Sequence, residues 1–431
     1  MKKLLIISPH FPPTNAADMH RVRQSLWYFE TLGWMPTVIC VNEKYVETSQ
    51  DPLLCHTIPS NLLVFKTRAF STNWTKKIAL GSLALRSLFF FFFKGNKLLH
   101  SQKFDLVFFS TTQFPVLILG RYWHWRFGVP YIIDMQDPWH SDFYQNKPKS
   151  EQPSKYWFSY RLNKFLEPIA MKSVSGIISV SQGYCDILQS RYANINPQNC
   201  TVIPFGAFEK DFEIAAGLEY KAKTNIQKSK INILYIGRGG ADMATSLQII
   251  FKAFKIGLEK NNLLFSGVHI TFCGTSYAKA GSGTKTIAPL AEKLGLSAFV
   301  TETTNRIPYF ESLQKLMEAD ILIIPGSSDP NYTASKIYPY ILAKKPILAI
   351  FSKTSSVIEV LKCTHAGEFI TFDIDNIDVE DSAKNLLTKW EAMLIKLPYT
   401  PDTNWEAFRP FTALEMTKKQ VAFFDEILKK N

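Results

Sequence analysis

Short apolar runs alternate with segments of helical spacing along most of the chain. Runs such as Leu4–Ser8, Leu106–Ser110 and Gly176–Val180 are apolar on both faces, and turns and helical segments lie between them. The same rhythm restarts at Ile231 and continues to the run Glu368–Phe372. Strands that are apolar on both faces belong to parallel sheets covered by helices on each side. The sequence therefore predicts an α/β fold with two parallel sheets in tandem.

The boundary between the two predicted domains falls in the stretch 206–230, which turns polar and gains lysines towards its end. We assign residues 1–220 to a first Rossmann-like domain and residues 221–405 to a second one. The length of 431 residues supports this division, because a single core rarely grows beyond about 250–300 residues. The last segment, Glu406–Lys429, has the spacing of one amphipathic helix.

Basic residues outnumber acidic ones by 49 to 37, which gives a formal charge of +12. This balance favours nucleotides, nucleic acids or acidic membrane surfaces as partners, without choosing among them. The six cysteines and eight histidines lack paired metal-binding spacings, so we expect neither a zinc site nor a disulfide framework. The N-terminal apolar run is shorter than the roughly 7–15 residues of a secretory signal. These features predict a cytoplasmic protein.

The apolar stretch 78–93 permits two interpretations. It is shorter than the roughly 20 residues of a membrane-spanning helix, and it contains Arg86. In the first interpretation it is a buried helix of the first domain. In the second, the segment 76–97 lies on the inner face of a membrane: its apolar side chains enter the bilayer, and its flanking lysines bind anionic head groups.

A glycine-rich turn, Gly237-Arg238-Gly239-Gly240, follows the run Ile233–Ile236 and precedes a helical segment. Glycines let the backbone approach a phosphate, a helix start offers N–H groups, and Arg238 adds a forked donor. The turn therefore predicts a phosphate contact. The alternative is a tight strand-to-helix turn with a solvated arginine.

The polar segment 328–340 follows the run Ile321–Ile324, at the strand end where open α/β sheets bind ligands. We expect Ser335 to cap a helix and Lys336 to lie in its first turn, which together suit an anion. Asp329 or Asn331 is a candidate partner for a sugar hydroxyl. The alternative is a capped helix that serves packing alone.

Polar residues also follow two runs of the first domain. The segment Asp134–His140 brings two carboxylates, Asp134 and Asp137, and the imidazole of His140 to the predicted sheet edge, where a base or an orienting carboxylate is plausible. The loop Pro9–Asp18 leads to Arg21 and Arg23, either of which is a candidate clamp for an anionic group. The alternatives are a turn before Pro138, a structural His140 and a solvated arginine.

This layout resembles the GT-B glycosyltransferases, in particular the retaining family 4 group that builds bacterial cell-surface glycans. The resemblance covers nearly the whole chain. It is carried by Phe11-Pro12-Pro13, Arg21, Leu32-Gly33-Trp34, Ser179-Val180-Ser181, Val202–Gly206, Tyr235-Ile236-Gly237-Arg238, Ala319–Pro325, Ser335-Lys336, Tyr340 and Ala343–Leu348.

The resemblance implies a sugar transfer from a nucleotide diphosphate-sugar to a hydroxyl of a glycan or lipid-linked acceptor. The reaction would take place in an inter-domain cleft, without a cofactor, a metal or a nucleic acid. A C-terminal helix, residues 406–431, would cross back to the first domain. The implied donor contacts are Gly237, Arg238, Gly239, Gly274, Arg306, Asp329, Asn331, Ser335, Lys336 and Tyr340. The acceptor side would comprise Arg21, Asp134, Asp137 and His140, and the catalytic groups would be Asp137, Arg238 and Lys336.

The chain departs from the family pattern in ways that leave other functions open. The family often carries two glutamates at the positions of Asn331 and Pro339, and a histidine at the position of Gln136. A lysine usual after the Gly-Arg pair is missing, with Asp242-Met243 nearby, and Thr14–Ala17 replaces a glycine-rich loop. A non-catalytic binding or scaffold protein and a nucleotide-sugar epimerase therefore stay as alternatives.

Overall fold

The computed structural model describes residues 1–75, 81–142, 145, 149, 152, 156–218, 230–278, 281–328 and 335–430. Several predictions concern other positions and lie outside the described residues. They include the roles of Asp329 and Asn331, the lysines at 76 and 77, and most of the expected linker.

The chain forms two compact units. One comprises Met1–Gly206 together with Ala413–Asn431, and the other comprises Ala207–Thr412. The first unit thus ends before the predicted position 220, and the chain returns to it at 413 and not at 406. The amide of Ala207 donates to the carbonyl of Phe411 at 2.7 Å, which ties both ends of the second unit together.

The first unit contains a seven-stranded parallel sheet. Its strands are β1 (Lys2–Ile7), β2 (Trp34–Val41), β3 (Leu63–Thr67), β4 (Leu106–Ser110), β5 (Tyr131–Met135), β6 (Gly176–Ser179) and β7 (Cys200–Val202). They lie in the order β3-β2-β1-β4-β5-β6-β7, with Ile6 of β1 between Val38 and Phe108. The order reverses between β1 and β4, so the loops after these strands diverge and leave a crevice.

The second unit contains a six-stranded parallel sheet. Its strands are β8 (Ile231–Ile236), β9 (Val268–Cys273), β10 (Val300–Thr303), β11 (Ile321–Pro325), β12 (Ile347–Ser352) and β13 (Gly367–Phe372). Their order is β10-β9-β8-β11-β12-β13, which reverses between β8 and β11. The predicted fold of two Rossmann-like domains is therefore confirmed.

Helices cover the sheets because the chain must cross over between parallel strands. They are α1 (His20–Ser25), α2 (Thr72–Thr75), α3 (Leu83–Ser101), α4 (Ile118–Phe127), α5 (Tyr156–Met171), α6 (Gln182–Arg191), α7 (Glu209–Gly217), α8 (Ala244–Lys260), α9 (Asn262–Phe265), α10 (Ala288–Glu292), α11 (Tyr309–Glu318), α12 (Ile337–Leu342), α13 (Ser356–Thr364), α14 (Val379–Lys396), α15 (Trp405–Phe408) and α16 (Ala413–Lys430).

Helix α3 carries the apolar stretch and divides it between two faces. Phe91 is fully buried, and Arg86 is buried with its guanidinium bonded to the carbonyls of Phe70 and Tyr45. Phe89 and Phe93 on another face are each 54% exposed. The buried-helix interpretation is thus correct for one face only. Among the described residues, no helix combines the length and apolar character needed to cross a bilayer.

The predicted single C-terminal helix is interrupted. Helix α15 ends at Phe408, a 3-10 turn spans Arg409–Phe411, and α16 starts at Ala413. Pro410 lacks an N–H group and cannot continue the helical hydrogen bonding of the preceding turn. The part that packs on the first unit is α16, whose Phe424 ring lies 5.5 Å from the ring of Trp34. The return of a C-terminal helix to the first domain is therefore confirmed.

Candidate functional site

Two loops leave the carboxyl edge of the second sheet where its strand order reverses. Gly237–Gly240 follows β8, and Gly326–Ser328 follows β11. Open α/β sheets bind ligands in the crevice at such a reversal. Beyond the first loop, the long helix α8 starts with no side chain capping its first turn, and its positive end points towards this edge.

The amine of Lys336 reaches the same edge from the end of the β11–α12 connection, just before α12. Its Nζ donates a 2.7 Å hydrogen bond to Tyr235 Oη and lies 4.5 Å from the centre of the Tyr235 ring. Burial, with repulsion from Arg238 adding to it, lowers the pKa of Lys336 to about 7. Among the residues that the structure describes, no carboxylate lies within ion-pair distance of this amine. A desolvated ammonium without a counter-ion is the arrangement expected of an anion site.

Arg238 lies beside Lys336 but is already paired. Its two terminal nitrogens donate to the two carboxylate oxygens of Asp242 at 2.9 and 2.6 Å. The Arg238 guanidinium and a hydrogen bond from Ser327 hold the pKa of the Asp242 carboxyl below its usual value. The side chain of Arg238 keeps 25% of its surface exposed, so an anion can still approach it. Asp242 thus orients the arginine that the sequence predicts at a phosphate.

The glycines of the loop after β8 matter because they have no side chain that would occupy the site. The amides of Gly237 and Gly239 donate to the carbonyls of Cys273 and Thr275, at 3.0 and 2.8 Å. These two N–H groups are therefore engaged within the loop, and the free N–H groups that the sequence predicts belong to the helix start. A Cβ atom at Gly237 would overlap the Nζ of Lys336. Glycine at this position makes room for the amine.

Ser335 does not cap the following helix, so this prediction is wrong. Helix α12 begins at Ile337, and the residue before it is Lys336, which makes no side-chain capping bond. Ser335 lies in the preceding turn, where its carbonyl accepts from Tyr338 N at 3.3 Å. Pro339 explains why α12 begins at Ile337 and not earlier, because a helix tolerates proline only in its first turn.

Tyr340 is buried against the backbone at the end of β8, next to the site. It is 1% exposed, and its hydroxyl accepts from Ile236 N at 2.8 Å and lies 3.2 Å from Ile236 O. These contacts tie α12 to the end of β8. The implied contact of Tyr340 with a sugar donor does not fit a hydroxyl that is buried against the backbone.

Gly274 and Arg306 lie at the next loops along the sheet. Gly274 follows β9 with a φ of +71°, a conformation that favours glycine, and its amide donates to Thr303 O at 2.8 Å. Arg306 is exposed, and its guanidinium lies 5.6 Å from the centre of the Tyr277 ring. Arg306 therefore keeps a free face for an anionic ligand.

Arg21 and Asp134 of the first unit form a buried ion pair. Both side chains are 0% exposed, and Arg21 Nε donates to Asp134 Oδ2 at 2.8 Å. The terminal nitrogens of Arg21 donate to the carbonyls of Ile203 and Pro204, at 2.6 and 3.4 Å. Arg21 therefore fastens the chain after β7 to the sheet. The expected clamp for an acceptor anion does not fit a guanidinium without solvent contact.

Asp137 follows β5 at the carboxyl edge of the first sheet and is exposed. Desolvation of its carboxyl, with repulsion from Asp18 adding to it, raises the pKa of Asp137 to about 6. The preceding Gln136 points inward, and its Nε2 donates to Asp134 Oδ2 at 2.8 Å. Asp137 therefore has the accessibility that an acceptor-side residue requires, whereas Asp134 does not.

His140 belongs to a separate cluster around the buried Glu167. The His140 amide donates to Glu167 Oε2 at 3.0 Å, and Arg191 donates to Glu167 Oε1 and to His140 O. Burial and the charge of Arg191 lower the pKa of His140. Its imidazole packs 4.8 Å from the Tyr160 ring. The structural interpretation of His140 is the one that this environment favours.

A histidine–carboxylate pair at the first sheet escaped the sequence analysis. His10 Nδ1 lies 2.8 Å from Asp18 Oδ1, and the two side chains are 10% and 4% exposed. Both residues belong to the loop Pro9–Asp18, but their spacing matches no recognised motif. Within the described ranges, no group of three or more His, Cys, Asp or Glu side chains is arranged to hold a metal.

Comparison with known proteins was made by sequence and by fold. Residues 71–207 match the family described as Glycosyltransferase Family 4. No curated protein matches the chain by sequence. A solved glycosyltransferase from Rickettsia africae ESF-5 is 16% identical with a TM-score of 0.59, covering 100% of this chain and 99% of that one. HepE from Anabaena, in complex with UDP and glucose, is 15% identical with a TM-score of 0.60, covering 99% and 100%.

A third solved structure, α,α-trehalose 6-phosphate synthase from Burkholderia multivorans, is 12% identical with a TM-score of 0.60, covering 100% of this chain and 98% of that one. The structural similarity to these proteins extends over nearly the whole chain. At sequence identities this low, it establishes the fold alone. The chain thus has the GT-B fold, and the family 4 match lies in its first domain. The predicted resemblance to GT-B glycosyltransferases of family 4 is confirmed.

Proposed function

We propose that this GT-B protein is a glycosyltransferase that moves a hexose from a nucleotide diphosphate-sugar to a hydroxyl acceptor, with retention of configuration. The acceptor belongs to a cell-surface polysaccharide or glycolipid. The observation that carries the proposal is the partly buried amine of Lys336, which lacks a counter-ion among the described residues. The family match and the HepE complex with UDP and glucose support it.

The donor half of the proposal rests on charge. An uncompensated buried ammonium costs free energy, and a bound dianionic diphosphate removes that cost. Lys336 and Arg238 both lie beside the loop after β8, and the uncapped end of α8 adds a positive potential. A sugar has no charge of its own, so these groups recognise the diphosphate and leave sugar selection to other contacts.

The same groups suit the departure of the nucleotide. As the bond between the anomeric carbon and the diphosphate oxygen breaks, negative charge accumulates on the diphosphate. Preorganised cations in a poorly solvated site stabilise that charge more than water does. The proposed reaction therefore requires no cofactor and no metal, since Lys336 and Arg238 supply the positive charge. The acceptor binds to the first unit, where Asp137 lies at the sheet edge.

The test begins with calorimetry against a panel of nucleoside diphosphates and nucleotide sugars. We expect Lys336→Met to weaken the best ligand by about 10–100-fold, as the loss of about 1.4–2.8 kcal/mol of a charge-assisted contact predicts. Lys384→Met, which removes an exposed lysine on α14, is the matched control. If no nucleotide binds to the wild-type protein, the proposal is wrong.

Product analysis separates the remaining alternatives. Transfer to a hydroxyl acceptor, with the anomeric configuration read by NMR, supports a retaining transferase. Nucleotide binding without turnover supports a scaffold protein, and conversion of the donor without an acceptor supports an epimerase. Wild-type transfer that Lys336→Met abolishes would exclude the scaffold.

We also propose that helices α3 and α4 attach the protein to the inner face of an anionic membrane. Aromatic rings form a connected row: the exposed Phe89 and Phe93 lie 4.5 Å apart, and the partly buried Phe92 and Tyr122 link them to Trp125, which is 77% exposed. Neither helix contains an acidic residue, whereas both contain lysine or arginine. Aromatic side chains flanked only by basic ones suit the interface of an anionic bilayer.

Co-sedimentation with phosphatidylglycerol vesicles tests this surface. We expect the double variant Phe89→Ser/Phe93→Ser to bind at least about tenfold more weakly, since each inserted phenylalanine contributes about 1.5–3 kcal/mol. Ile395→Ser, at a residue 72% exposed in the second unit, is the control. Equal binding by the double variant and the wild type would contradict the assignment.

A further inference from the structure

We propose that a pocket on the second unit binds a neutral oligosaccharide, at a site separate from the one that holds the nucleotide. The pocket has a volume of about 610 Å³, which falls within the range of about 300–1,000 Å³ that small-molecule sites occupy. Its walls combine aromatic side chains with four charged ones: Glu209, Glu213, Lys344 and Arg409. Every residue that lines it belongs to the second unit.

The pocket lies at the opposite end of helix α12 from the candidate nucleotide site. Lys336 directly precedes α12, whereas Leu342, its last residue, and Lys344 line the pocket. The chain then enters β12, so this end of α12 lies at the amino edge of the second sheet. Open α/β sheets bind nucleotides at the carboxyl edge. The pocket is therefore not part of the nucleotide site, and α7 and α15 supply its other walls.

Lys344 has a backbone conformation that favours glycine. It lies two residues after the end of α12, and its φ of +57° falls in the left-handed region. A side chain in this conformation costs free energy that a glycine would not cost. The Lys344 amine lies 5.5 Å from the centre of the Trp405 ring, and it has no hydrogen-bond partner among the described residues. Lysine at this strained position thus gives the pocket a donor that glycine could not supply.

Trp405 offers the pocket a flat apolar surface. The residue is 40% exposed, and its ring meets the buried Phe408 ring edge-on, with 5.7 Å between the centroids. Phe408 in turn contacts Phe411, which stacks on Tyr338 of α12. This aromatic chain holds the indole in place, and Lys344 can cover only one of its two faces. The C–H face of a sugar ring packs well on such a surface, because the contact releases water and gains dispersion energy.

The charges of the pocket favour a ligand that is polar but neutral. Glu209 and Glu213 lie one turn apart on α7 and bring two negative charges. Lys344 and Arg409 bring two positive charges. The carboxylates repel an anion, and the two cations repel a cation. An apolar ligand would remove water from all four groups without replacing their hydrogen bonds. Sugar hydroxyls both donate to carboxylates and accept from cations, so a neutral sugar suits every group.

An oligosaccharide bound in this pocket has a consequence for the proposed reaction. A glycan that is held at a second point stays with the protein between one transfer and the next, and its effective concentration rises. The pocket would thus retain a glycan chain while sugars are added to it. This role rests on the proposed function, whereas the binding of an oligosaccharide does not require a nucleotide.

The test is calorimetry of the whole chain, without nucleotide, against four neutral trisaccharides: maltotriose, cellotriose, mannotriose and triacetylchitotriose. We expect at least one of them to bind, and Trp405→Leu to weaken that binding at least about fivefold, the usual loss for an aromatic anchor. Trp157→Leu, at a tryptophan of the first unit that is 64% exposed, is the matched control and should keep the wild-type affinity. Because the ligand is neutral, its affinity should be the same at about 50 and 500 mM salt.

Lys344→Gly separates binding from folding. Glycine suits the φ of +57°, so Tm should equal or exceed the wild-type value, while trisaccharide affinity should fall at least about fivefold with the loss of the amine. The assignment is wrong if none of the four trisaccharides binds to the wild type, if either variant keeps full affinity, or if affinity falls as salt is added. Nucleotide calorimetry is independent of this result. A protein that binds nucleotides but no trisaccharide loses only the pocket assignment, and one that binds a trisaccharide but no nucleotide loses only the proposed function.

Discussion

Removing one member of the Arg21–Asp134 pair should destabilise the first unit without weakening ligand binding. The structure presents Arg21 as a structural residue, although the sequence suggests an acceptor clamp. The two side chains have no exposed surface, and their closest atoms are 2.8 Å apart. The substitutions Arg21→Met and Asp134→Leu each remove one charge while keeping an apolar side chain of similar length in the core.

The expected loss for either single variant is about 3–5 kcal/mol, because the partner charge is left buried and unpaired. Arg21→Met also frees the carbonyls of Ile203 and Pro204, which lose their donors. Asp134→Leu removes the acceptor of the Ser110 hydroxyl and one of the three partners of the Gln136 amide nitrogen. For a domain of about 150–250 residues, such a loss lowers Tm by about 6–20 °C.

The assay is urea denaturation with a probe of the first unit, together with calorimetric melting. Two units need not unfold together, so the two transitions have to be resolved before a free energy is assigned. The double variant Arg21→Met/Asp134→Leu removes both charges and should recover most of the stability that either single variant loses. Arg68→Met, at an exposed arginine of the same unit, is the control and should cost less than about 1 kcal/mol.

Two outcomes would refute this reasoning. If Arg21→Met melts at the wild-type temperature and loses acceptor affinity, Arg21 acts on a ligand. If the double variant is as unstable as the sum of the two single variants, the charges do not compensate each other, and the loss comes from the hydrogen bonds to the chain after β7.

Three further predictions concern the two sheet edges. Burial lowers the pKa of Lys336 to about 7, so nucleoside diphosphate affinity should fall as pH rises from about 6 to 9, whereas Lys336→Arg should show little change in calorimetry. A flat wild-type profile would contradict this. Gly237→Ala should weaken nucleotide binding at least about tenfold, because its Cβ overlaps Lys336 Nζ, whereas Gly267→Ala, with open space around it, should not. Because desolvation raises the folded-state pKa of Asp137 to about 6, the folded state binds more protons than the unfolded state, and stability should fall as pH rises from about 4 to 6. Asp137→Asn should flatten that decline in urea denaturation, and an unchanged pH profile would count against the raised pKa.

The α/β architecture was predictable because it depends on local patterns. The runs Leu4–Ser8, Leu106–Ser110 and Gly176–Val180 appear as strands to within two residues. The helix ends were less predictable, since they depend on single residues such as Pro339 and Pro410. Proline removes one hydrogen-bond donor, and the position of that loss decides where the helix starts or stops.

At the candidate site, the predicted importance of the loop after β8 and of Lys336 agrees with the geometry, but the contacts do not follow from the sequence. Lys336 bonds to Tyr235, which lies 101 positions earlier in the chain. Gly237, expected to let the backbone approach a phosphate, makes room for that amine. Both facts depend on the order in which the strands pair, and side-chain types alone do not determine that order.

The amino-acid sequence by itself determined the two parallel sheets and the strand ends where polar residues collect, because apolar periodicity and loop chemistry act between near neighbours. Only the tertiary structure decided what those polar residues do. Arg21 is neutralised by Asp134, 113 positions away, and His10 is held by Asp18, which Thr111 supports from 93 positions away. The physical reason is that burial and charge pairing set the role of an ionisable group, and both arise when distant segments pack together.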